Sequence, residues 1–273
     1  MKKELYLKDS NFGHCAFSNN PTPPVSFSEH IIWNRGPAPI GADVVCTDCH
    51  LNDGNIAWIL EPYEINSGPY IHVKNNSLKY KEIWTHDKEL LTLPNAKWYP
   101  VGGCWLEVPE RKIYEKSKMF SIIASNKNQL PGHQLRHQII QASGNKIDAY
   151  GHSYTQFKKH SMHKIEGLAD YRYHFAIENC KRDFYFTEKL IDTLMSGTIP
   201  IYWGCPSIDK FFNTDGFIIF NDLYDLKEKL KSCTVEFYDS KKAVIEENFK
   251  LAQNYILSED WIYNNILQNE KTI

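Results

Sequence analysis

A strand–loop–helix–strand unit between Tyr173 and Trp203 constrains the fold of this chain more than any other stretch. Residues 175–177 form a short apolar run typical of a buried strand, and residues 199–203 form a second. Between the two runs, apolar residues recur on one face of a helix: Leu190, Ile191, Leu194 and Met195. Gly197 ends this helix. A helix that connects two buried strands predicts a parallel sheet with a crossover helix.

The polar residues at the start of this helix are candidates for ligand binding, because ligands of open α/β sheets bind beyond the carboxyl ends of the strands. Thr187 is a good N-cap and places Glu188 and Lys189 in the first turn. A lysine there opposes the helix dipole, unless the site holds a phosphate that Lys189 also contacts. The alternative is a solvated surface lysine. The local pattern supports both interpretations equally.

The same stretch resembles the donor-binding segment of the α1,3-fucosyltransferase family, whose pattern is roughly E-N-x(5)-Y-x-T-E-K, followed by I-P. The matching residues are Glu178, Asn179, Tyr185, Thr187, Glu188, Lys189, Ile199 and Pro200. The close resemblance covers about residues 117–225 and weakens toward the N-terminus. It implies a GT-B glycosyltransferase, an α/β protein in which two Rossmann-like domains face each other across a cleft.

A second segment also resembles this family. Ser125 and Asn126 follow the apolar run at residues 119–124, and Arg136 lies in the next predicted helix. In the family, the corresponding arginine binds the pyrophosphate of the donor, a role that suits a planar and permanently charged guanidinium group. Without the resemblance, we would interpret Arg136 as a surface residue of an amphipathic helix.

The order of predicted elements divides the chain into parts. The N-terminal third contains short predicted strands at His30–Trp33, Asp43–Cys46, Ile56–Leu60 and Glu82–Thr85. We expect an acceptor-binding domain at residues 1–106, a charged linker at 107–118 and a nucleotide-sugar-binding domain at 119–255. The last residues, 256–273, are expected to form a helix that returns to the N-terminal domain. The alternation of strands and helices after residue 119 supports one α/β domain directly, and the two-domain cleft is implied by the resemblance.

The second half gives the detailed expectations for secondary structure. Helices are predicted at about 132–142, 188–196 and 206–212, and a long one at about 240–257. The strands between them are predicted near 148–151, 172–177, 199–203 and 217–220.

Charge and hydropathy exclude several classes of function. A net charge of −2 over 273 residues gives no reason to expect a nucleic-acid partner. The sequence contains no apolar run near the ~20 residues that a membrane-spanning helix needs. The N-terminal residues lack the apolar core of a signal peptide, so the sequence predicts a protein of the cytoplasm.

Cys46, Cys49 and His50 form a C-x-x-C-H pattern, which is known for haem attachment. Haem attachment requires export, and no second ligand pair at zinc-finger spacing follows. An odd total of seven cysteines also argues against a disulfide framework. We interpret Cys46 and Cys49 as buried cysteines at the end of a strand.

The resemblance implies a mechanism for the donor half of the reaction. GDP-fucose is the expected donor and a glycan hydroxyl is the expected acceptor. Arg136 and Lys189 would neutralise the leaving diphosphate, since fixed positive charges stabilise developing negative charge. Glu188 would accept the ribose hydroxyls, and Asn179 and Tyr185 would orient the diphosphate or the sugar. The sequence contains no Asp-x-Asp pair, so we expect a site without metal or other cofactor.

The family inverts the configuration of the sugar with a carboxylate base from its N-terminal domain. Glu61 follows the predicted strand 56–60 and resembles the glutamate of the family pattern G-E-N-x-x-P only loosely. Glu64, three residues on, and Asp87, after the strand that ends at Thr85, are the alternatives.

Two other functions stay open on the sequence alone. The first keeps the fold and mechanism but uses another nucleotide sugar, since few polar contacts distinguish one donor sugar from another. The second is a catalytically silent module that binds a nucleotide or a carbohydrate. The presence together of Arg136, Tyr185, Glu188 and Lys189 argues against this second alternative.

Overall fold

The computed structural model describes residues 2–10, 27–151 and 163–268. Within these ranges the strands form two sheets, and every strand pair is parallel. The first sheet contains β1 (Lys3–Lys8), β2 (Ile31–Asn34), β3 (Val44–Thr47), β4 (Ile56–Trp58), β5 (Glu82–Thr85) and β6 (Ala96–Trp98). The second sheet contains β7 (Lys118–Ile123), β8 (Asp148–Tyr150), β9 (Tyr171–Ile177), β10 (Ile199–Trp203) and β11 (Ile218–Ile219).

In the described ranges, three α-helices lie between strands and four follow β11. The α-helices are α1 (Gly68–Asn76), α2 (Pro131–Ser143), α3 (Glu188–Leu194), α4 (Leu223–Lys229), α5 (Val235–Ser240), α6 (Lys242–Ala252) and α7 (Ser258–Ile262), which a π-helical turn follows at Tyr263–Leu267. Short 3-10 turns occur at Asp48–His50, Ser77–Lys79, Leu90–Thr92, Val108–Glu110, Lys164–Gly167, Ile208–Lys210, Thr214–Gly216, Leu230–Ser232 and Gln253–Tyr255. In the described part of the chain, no helix is long and apolar enough to cross a membrane.

The chain divides into two compact units. The first unit takes the described residues up to Gly103, the tripeptide Asp183–Tyr185, and the described residues from Leu257 onward. The second unit takes the described residues of the ranges Cys104–Arg182 and Phe186–Ile256. The chain therefore enters the first unit three times, once through a tripeptide of the donor-binding pattern.

The sheet of the first unit has the strand order β2-β1-β3-β4-β5-β6. The chain moves from β1 to one edge and then returns past it, so the direction of winding reverses between β1 and β3. The core on this sheet is aromatic, with Trp58, Trp84 and Tyr99 fully buried. The Trp58 ring meets the Trp84 and Tyr99 rings edge-on at centroid distances of 6.1 and 5.9 Å. Edge-on contacts of this kind add to the large hydrophobic contribution of each ring.

The C-terminal segment completes this core. Ile262, Ile266 and Leu267 are buried in the same cluster as the apolar side chains of β1 and β4. The Ser258 hydroxyl donates to the Val101 carbonyl oxygen at 2.6 Å, and the Trp261 ring packs edge-on against another tryptophan of this unit. The apolar face of the last helices is therefore buried in the first unit.

The sheet of the second unit has the strand order β11-β10-β9-β7-β8. Winding reverses here between β7 and β9, which are neighbours in the sheet. Its core cluster contains side chains from one face of β9 and β10, including Tyr173, Phe175, Ile199 and Ile201. The alternate residues Ala176 and Tyr202 are buried on the other face. Strands buried on both faces read as continuous apolar runs, which is why this sheet could be predicted from the sequence.

The α/β class predicted from the sequence is confirmed, and several details differ. The N-terminal predictions missed β1, β6 and α1. The helix α1 was missed because its polar pattern and its initial Gly68-Pro69 resemble a turn. The helix predicted at 206–212 is wrong, since only the 3-10 turn Ile208–Lys210 forms there. The long helix predicted at 240–257 is also wrong in its bounds: the chain forms α5 and α6, followed by a 3-10 turn.

Candidate active site

The second sheet reverses its winding between β7 and β9, and this brings two candidate segments together at the carboxyl-terminal ends of these strands. β7 and β9 are parallel neighbours, so the residues that follow Ile123 and Ile177 leave the sheet at the same end. Ser125 and Asn126 follow β7, the first half-buried and the second exposed, and Asn179 follows β9. Ligands of open α/β sheets bind at such reversal points. The fold thus places these polar residues where a ligand is expected.

A close approach of two backbones positions α2 at this edge. The Gly132 amide donates to the Asn179 carbonyl oxygen at 3.0 Å. A Cβ atom at Gly132 would lie 1.7 Å from the Glu178 carbonyl oxygen, a distance that no side chain tolerates. Glycine is therefore required for the first turn of α2 to reach the end of β9. Sequence reasoning missed this residue, although a glycine at the start of the helix after a buried strand was a visible signal.

Substitution of Gly132 by Ala should lower the free energy of unfolding by about 2 kcal/mol, because the new methyl group meets backbone atoms that cannot move aside. Chemical denaturation measures this change. The matched control is Gly68→Ala at the start of α1, where the nearest atom to a new Cβ is 3.5 Å away. The control should be neutral or slightly stabilising. Equal stability of Gly132→Ala and the parent would show that the two backbones do not meet as described.

Arg136 is delivered to the site by α2. Its side chain is 6% exposed, and its Nη2 donates to Asn179 Oδ1 at 2.7 Å. His133 lies one turn earlier, where burial and the Arg136 charge lower its pKa to about 4. His133 is therefore neutral near pH 7, and Arg136 keeps its positive charge at the end of β9.

Glu178 fixes the connection between β9 and α3. It is fully buried, with Oε1 accepting from the Thr187 amide at 2.8 Å and Oε2 from the Thr187 hydroxyl at 2.6 Å. Burial raises the pKa of this carboxyl, and the nearby Lys189 and the Thr187 bonds partly offset that rise. Gly204 lies against it, since a Cβ there would be 2.6 Å from Glu178 Cγ. Both Glu178 oxygens thus hold the start of α3 in place.

Glu188 and Lys189 form the first turn of α3, as the sequence predicted. The Thr187 hydroxyl accepts from the Lys189 amide, which makes Thr187 the N-cap. The Lys189 ammonium lies 2.9 Å from Glu188 Oε1 and 3.1 Å from the Thr187 hydroxyl. Burial alone would raise the pKa of Glu188, but Lys189 and Lys164 outweigh it and lower that pKa to about 2. Glu188 is therefore an ionised acceptor at neutral pH.

Three residues behind Glu188 were missed by sequence reasoning. Lys164 pairs with Asp192 and lies over the ring of Trp105. The two residues of the ion pair are 28 positions apart, and the bond between Trp105 and Asp192 joins residues 87 positions apart. No local sequence pattern therefore links these residues. Only the folded structure brings them together.

Glu61 lies in the first unit, three residues after β4 ends at Trp58. Its backbone carbonyl oxygen accepts from the Tyr70 hydroxyl at 2.8 Å, which fixes the turn to α1. Glu61 is half-buried, whereas Glu64 is exposed on the next turn. The structure thus places the two glutamates in different surroundings on one short loop.

Asp87 and Tyr185 also belong to the first unit. Asp87 Oδ1 accepts from the amides of Glu89 and Leu90 at 3.0 Å each, so it holds the 3-10 turn that follows β5. Tyr185 packs against His86 with ring centroids 5.1 Å apart. His86 is itself buried, with Nε2 3.2 Å from a backbone carbonyl oxygen of the Glu61 loop.

The C-x-x-C-H pattern is only partly as predicted. Cys46 is fully buried, where burial raises its thiol pKa to about 12, and it donates to a backbone carbonyl oxygen at 3.1 Å. Cys49 is exposed, so its predicted burial is wrong, because the chain turns at Asp48 with a φ of +50°. His50 pairs with Asp53. Among the described residues, no group of three or more His, Cys, Asp or Glu side chains is placed to hold a metal ion.

Comparison with known proteins identifies relatives of both the sequence and the fold. Residues 113–266 match the C-terminal part of glycosyltransferase family 10 (fucosyltransferase). The alpha-(1,3)-fucosyltransferase FucT of Helicobacter pylori is 32% identical over 103 residues, which are 38% of this chain and 21% of the relative. The chain spans about a fifth of the length of the curated relatives it matches.

Two solved α1,3-fucosyltransferase structures share the fold. One, solved with GDP, has a TM-score of 0.57 and covers 99% of this chain and 90% of its own. The other has a TM-score of 0.55 and covers 99% of this chain and 89% of its own. Both are 16% identical in sequence, so the likeness concerns the fold.

The two parallel sheets and the similar structures define an α/β protein of the GT-B class, as the resemblance predicted. The family match covers more than half of the sequence. The chain belongs to glycosyltransferase family 10, the fucosyltransferases, which is a family of enzymes.

Proposed function

We propose that this protein transfers fucose from GDP-fucose to a hydroxyl of a glycan acceptor, with inversion at the anomeric carbon and without a metal ion. The observation that carries this proposal is a continuous set of contacts at one edge of the second sheet. Arg136 bonds to Asn179, the adjacent Glu178 bonds to Thr187, and Thr187 caps the turn that carries Lys189. The cations Arg136 and Lys189 and the ionised Glu188 therefore lie together where the winding of the second sheet reverses.

The donor binds through these residues in the proposed reaction. Glu188, ionised and 16% exposed, accepts the two ribose hydroxyls. Arg136 and Lys189 bind the diphosphate, and Asn179 keeps the guanidinium group oriented. As the bond to fucose breaks, negative charge grows on the diphosphate, and fixed cations stabilise that charge more than the ground state. Glu178 acts by shaping the site, since its oxygens already bond to Thr187.

The remaining donor candidates have supporting roles in this proposal. Ser125 and Asn126 follow β7 at the same edge, where their polar groups suit the phosphates or the sugar. Tyr185 packs against His86, and in this proposal its hydroxyl orients the diphosphate or the sugar. The solved fucosyltransferase with GDP supports a guanine nucleotide as the leaving group.

The first unit supplies the acceptor side of the reaction in our proposal. Glu61 removes the proton from the acceptor hydroxyl while that oxygen attacks the anomeric carbon opposite the leaving diphosphate. The new bond forms to the acceptor oxygen, the bond to the diphosphate breaks, and GDP leaves with the electron pair. Asp87 suits this role less well, because its Oδ1 already accepts two backbone amides.

A nucleotide panel tests the donor. At about 100 times its dissociation constant, GDP should stabilise the protein by about 2.7 kcal/mol, whereas UDP, CMP, ADP and dTDP should give smaller shifts. Thermal denaturation measures these shifts, with and without EDTA. The GDP effect should survive EDTA, because the proposed site neutralises the diphosphate with Arg136 and Lys189.

Each other outcome of the panel has a definite meaning. Selective stabilisation by a different nucleotide would keep the fold and replace the donor. Loss of the GDP effect in EDTA would overturn the metal-free site. Absence of any response would favour a module without donor-binding activity. When donor-site variants are tested in the same panel, Lys118→Ala is a suitable control, because Lys118 pairs with Asp170 at the opposite end of the sheet.

A further inference from the structure

We propose that Lys164 is a positioning residue of the donor site: it serves as the permanent counter-ion of Glu188, which releases Lys189 to bind the diphosphate. This inference rests on the proposed function, in which Glu188 binds the ribose and Lys189 binds the diphosphate. It assigns a role to a lysine that lies outside the donor-binding pattern, because that pattern begins at Glu178 and ends at Pro200.

Lys164 is held in place by groups that do not belong to the ligand-binding surface. Its ammonium lies 2.8 Å from Asp192 Oδ2 and 4.2 Å from the centroid of the Trp105 ring. Asp192 is 2% exposed, and its second oxygen accepts from the Trp105 amide at 2.7 Å. An ion pair on one side and an aromatic face on the other fix the position of the charge.

From this position Lys164 reaches the carboxylate of Glu188. The Lys164 ammonium lies 3.8 Å from Glu188 Oε1, the same oxygen that Lys189 contacts at 2.9 Å. Burial alone would lower the pKa of Lys164, but Asp192 and Glu188 outweigh it and raise that pKa. Lys164 is therefore charged at neutral pH, and two ammonium groups share one carboxylate oxygen.

The two lysines differ in how they are anchored. The partners of the Lys189 ammonium lie in its own turn of α3, at Glu188 and Thr187, with Glu178 farther away at 4.0 Å. Rotation of the long Lys189 side chain can therefore break these bonds without moving the backbone. Lys164 is attached to Asp192 and Trp105 and stays where it is.

This difference determines which lysine can turn to a ligand. If Lys189 leaves Glu188, a mostly buried carboxylate loses its nearest positive charge, which is strongly unfavourable unless another cation compensates it. Lys164 provides that compensation at 3.8 Å. Without Lys164, Lys189 would stay bound to Glu188, and the site would lose one of its two diphosphate-binding cations.

The substitution Lys164→Met tests this inference, because it removes the charge and keeps most of the length of the side chain. We expect it to weaken GDP binding by about tenfold, the size expected for loss of one charge-assisted contact. Guanosine carries the ribose and lacks phosphates, so its affinity should change by less than about threefold. Calorimetry measures the affinity for GDP, and ligand titration by NMR measures the affinity for guanosine. The ratio of the two affinities is the decisive quantity, because general loosening of the site would weaken both ligands alike.

The matched control is Lys118→Met. Lys118 also pairs with an aspartate, at 3.0 Å from Asp170, and also lies over an aromatic ring, at 5.1 Å from the Tyr171 centroid. It lies at the start of β7, whereas Glu188 and Lys189 lie in the first turn of α3, beyond the end of β9. We expect parental affinities for both GDP and guanosine. Lys164→Arg, which keeps the positive charge, should restore GDP binding to within about threefold of the parent.

A double-mutant cycle with Glu188→Gln separates positioning from direct contact. If Lys164 acts through Glu188, Lys164→Met should have almost no additional effect on GDP binding once the carboxylate is gone. A full tenfold effect in the Glu188→Gln background would show that Lys164 contacts the ligand itself and would overturn the inference. An unchanged ratio of GDP to guanosine affinity in Lys164→Met would overturn it as well.

Folding of the variant can be secured independently. Removal of the Lys164 charge leaves Asp192 buried without its cation, so Lys164→Met with Asp192→Asn removes both charges together and serves if the single variant does not fold. The same loss of GDP selectivity is expected in the double variant, and parental selectivity there would contradict the inference.

If the parent itself does not bind GDP, the proposed function fails together with this inference. Parental GDP binding with no change in Lys164→Met rejects the role of Lys164 alone.

Discussion

Glu61→Gln is expected to lower the rate of fucose transfer by about 10²–10⁴-fold, the usual contribution of a general base, while GDP affinity changes little. The amide keeps the size and the polar shape of the side chain but cannot accept the acceptor proton. GDP affinity should be spared because the proposed donor contacts of Arg136, Glu188 and Lys189 lie in the second unit. The rate is measured as GDP release from GDP-fucose, with a panel of glycans and with water as acceptors.

Our proposal prefers Glu61 to the other two candidates because of its surroundings. It follows the central strand β4 and is half-buried, and the Tyr70 hydroxyl fixes its backbone at 2.8 Å. Glu64 is exposed, so the protein encloses it less than it encloses Glu61. Asp87 has a structural role, because its Oδ1 accepts the amides of the turn that follows β5.

Two control variants make the assignment decisive. Glu64→Gln should keep nearly the parental rate. Asp87→Asn should change the rate little and should lower stability by at most about 1 kcal/mol, since asparagine also caps turns. A large loss of rate in either control, together with a near-parental rate in Glu61→Gln, would move the base to that residue.

The local part of the fold could be predicted from the sequence, because a few adjacent residues determine it. The apolar runs of β9 and β10 and the helical face of α3 each lie within one short window, and Thr187 is the N-cap that the pattern predicted. By contrast, α1 begins at Gly68-Pro69 and carries mostly polar residues, so its local pattern resembles a turn. Burial of Tyr70 and Val73 stabilises this helix, and that burial depends on the rest of the unit.

The site divides in the same way between predictable and unpredictable parts. Neighbours in sequence, Glu188 and Lys189, were correctly expected to lie together in the first turn of α3. The burial of Glu178 could not be predicted, because a glutamate before an asparagine at a strand end reads as an exposed polar pair. Its two bonds to Thr187 exist only because β9 and α3 enclose it. The Lys164–Asp192 pair depends in the same way on folding, since no short window contains both residues.

Arg136→Ala and Lys189→Ala should each weaken GDP binding by about 1.5–3 kcal/mol, which corresponds to roughly 10- to 150-fold in affinity. Each substitution removes a positive charge from the proposed diphosphate site, and charge-assisted bonds to phosphate are among the strongest polar contacts. Calorimetry with GDP measures both losses. GDP affinities equal to that of the parent would remove both residues from the site.

The two variants should nevertheless differ from each other in their second effects. Arg136 is 6% exposed and bonded to the half-buried Asn179, so its removal also leaves the Asn179 amide oxygen without that donor and should lower the melting temperature. Lys189 is less buried, and its removal leaves Glu188 with Lys164 as a remaining counter-ion. Lys189→Ala should therefore lose GDP affinity with little loss of stability.

Arg136→Lys tests the geometry further: a point charge replaces the planar fork, so GDP affinity should recover only in part. Full recovery in Arg136→Lys would show that the site needs charge alone at this position, whereas partial recovery would indicate bidentate binding of the phosphate.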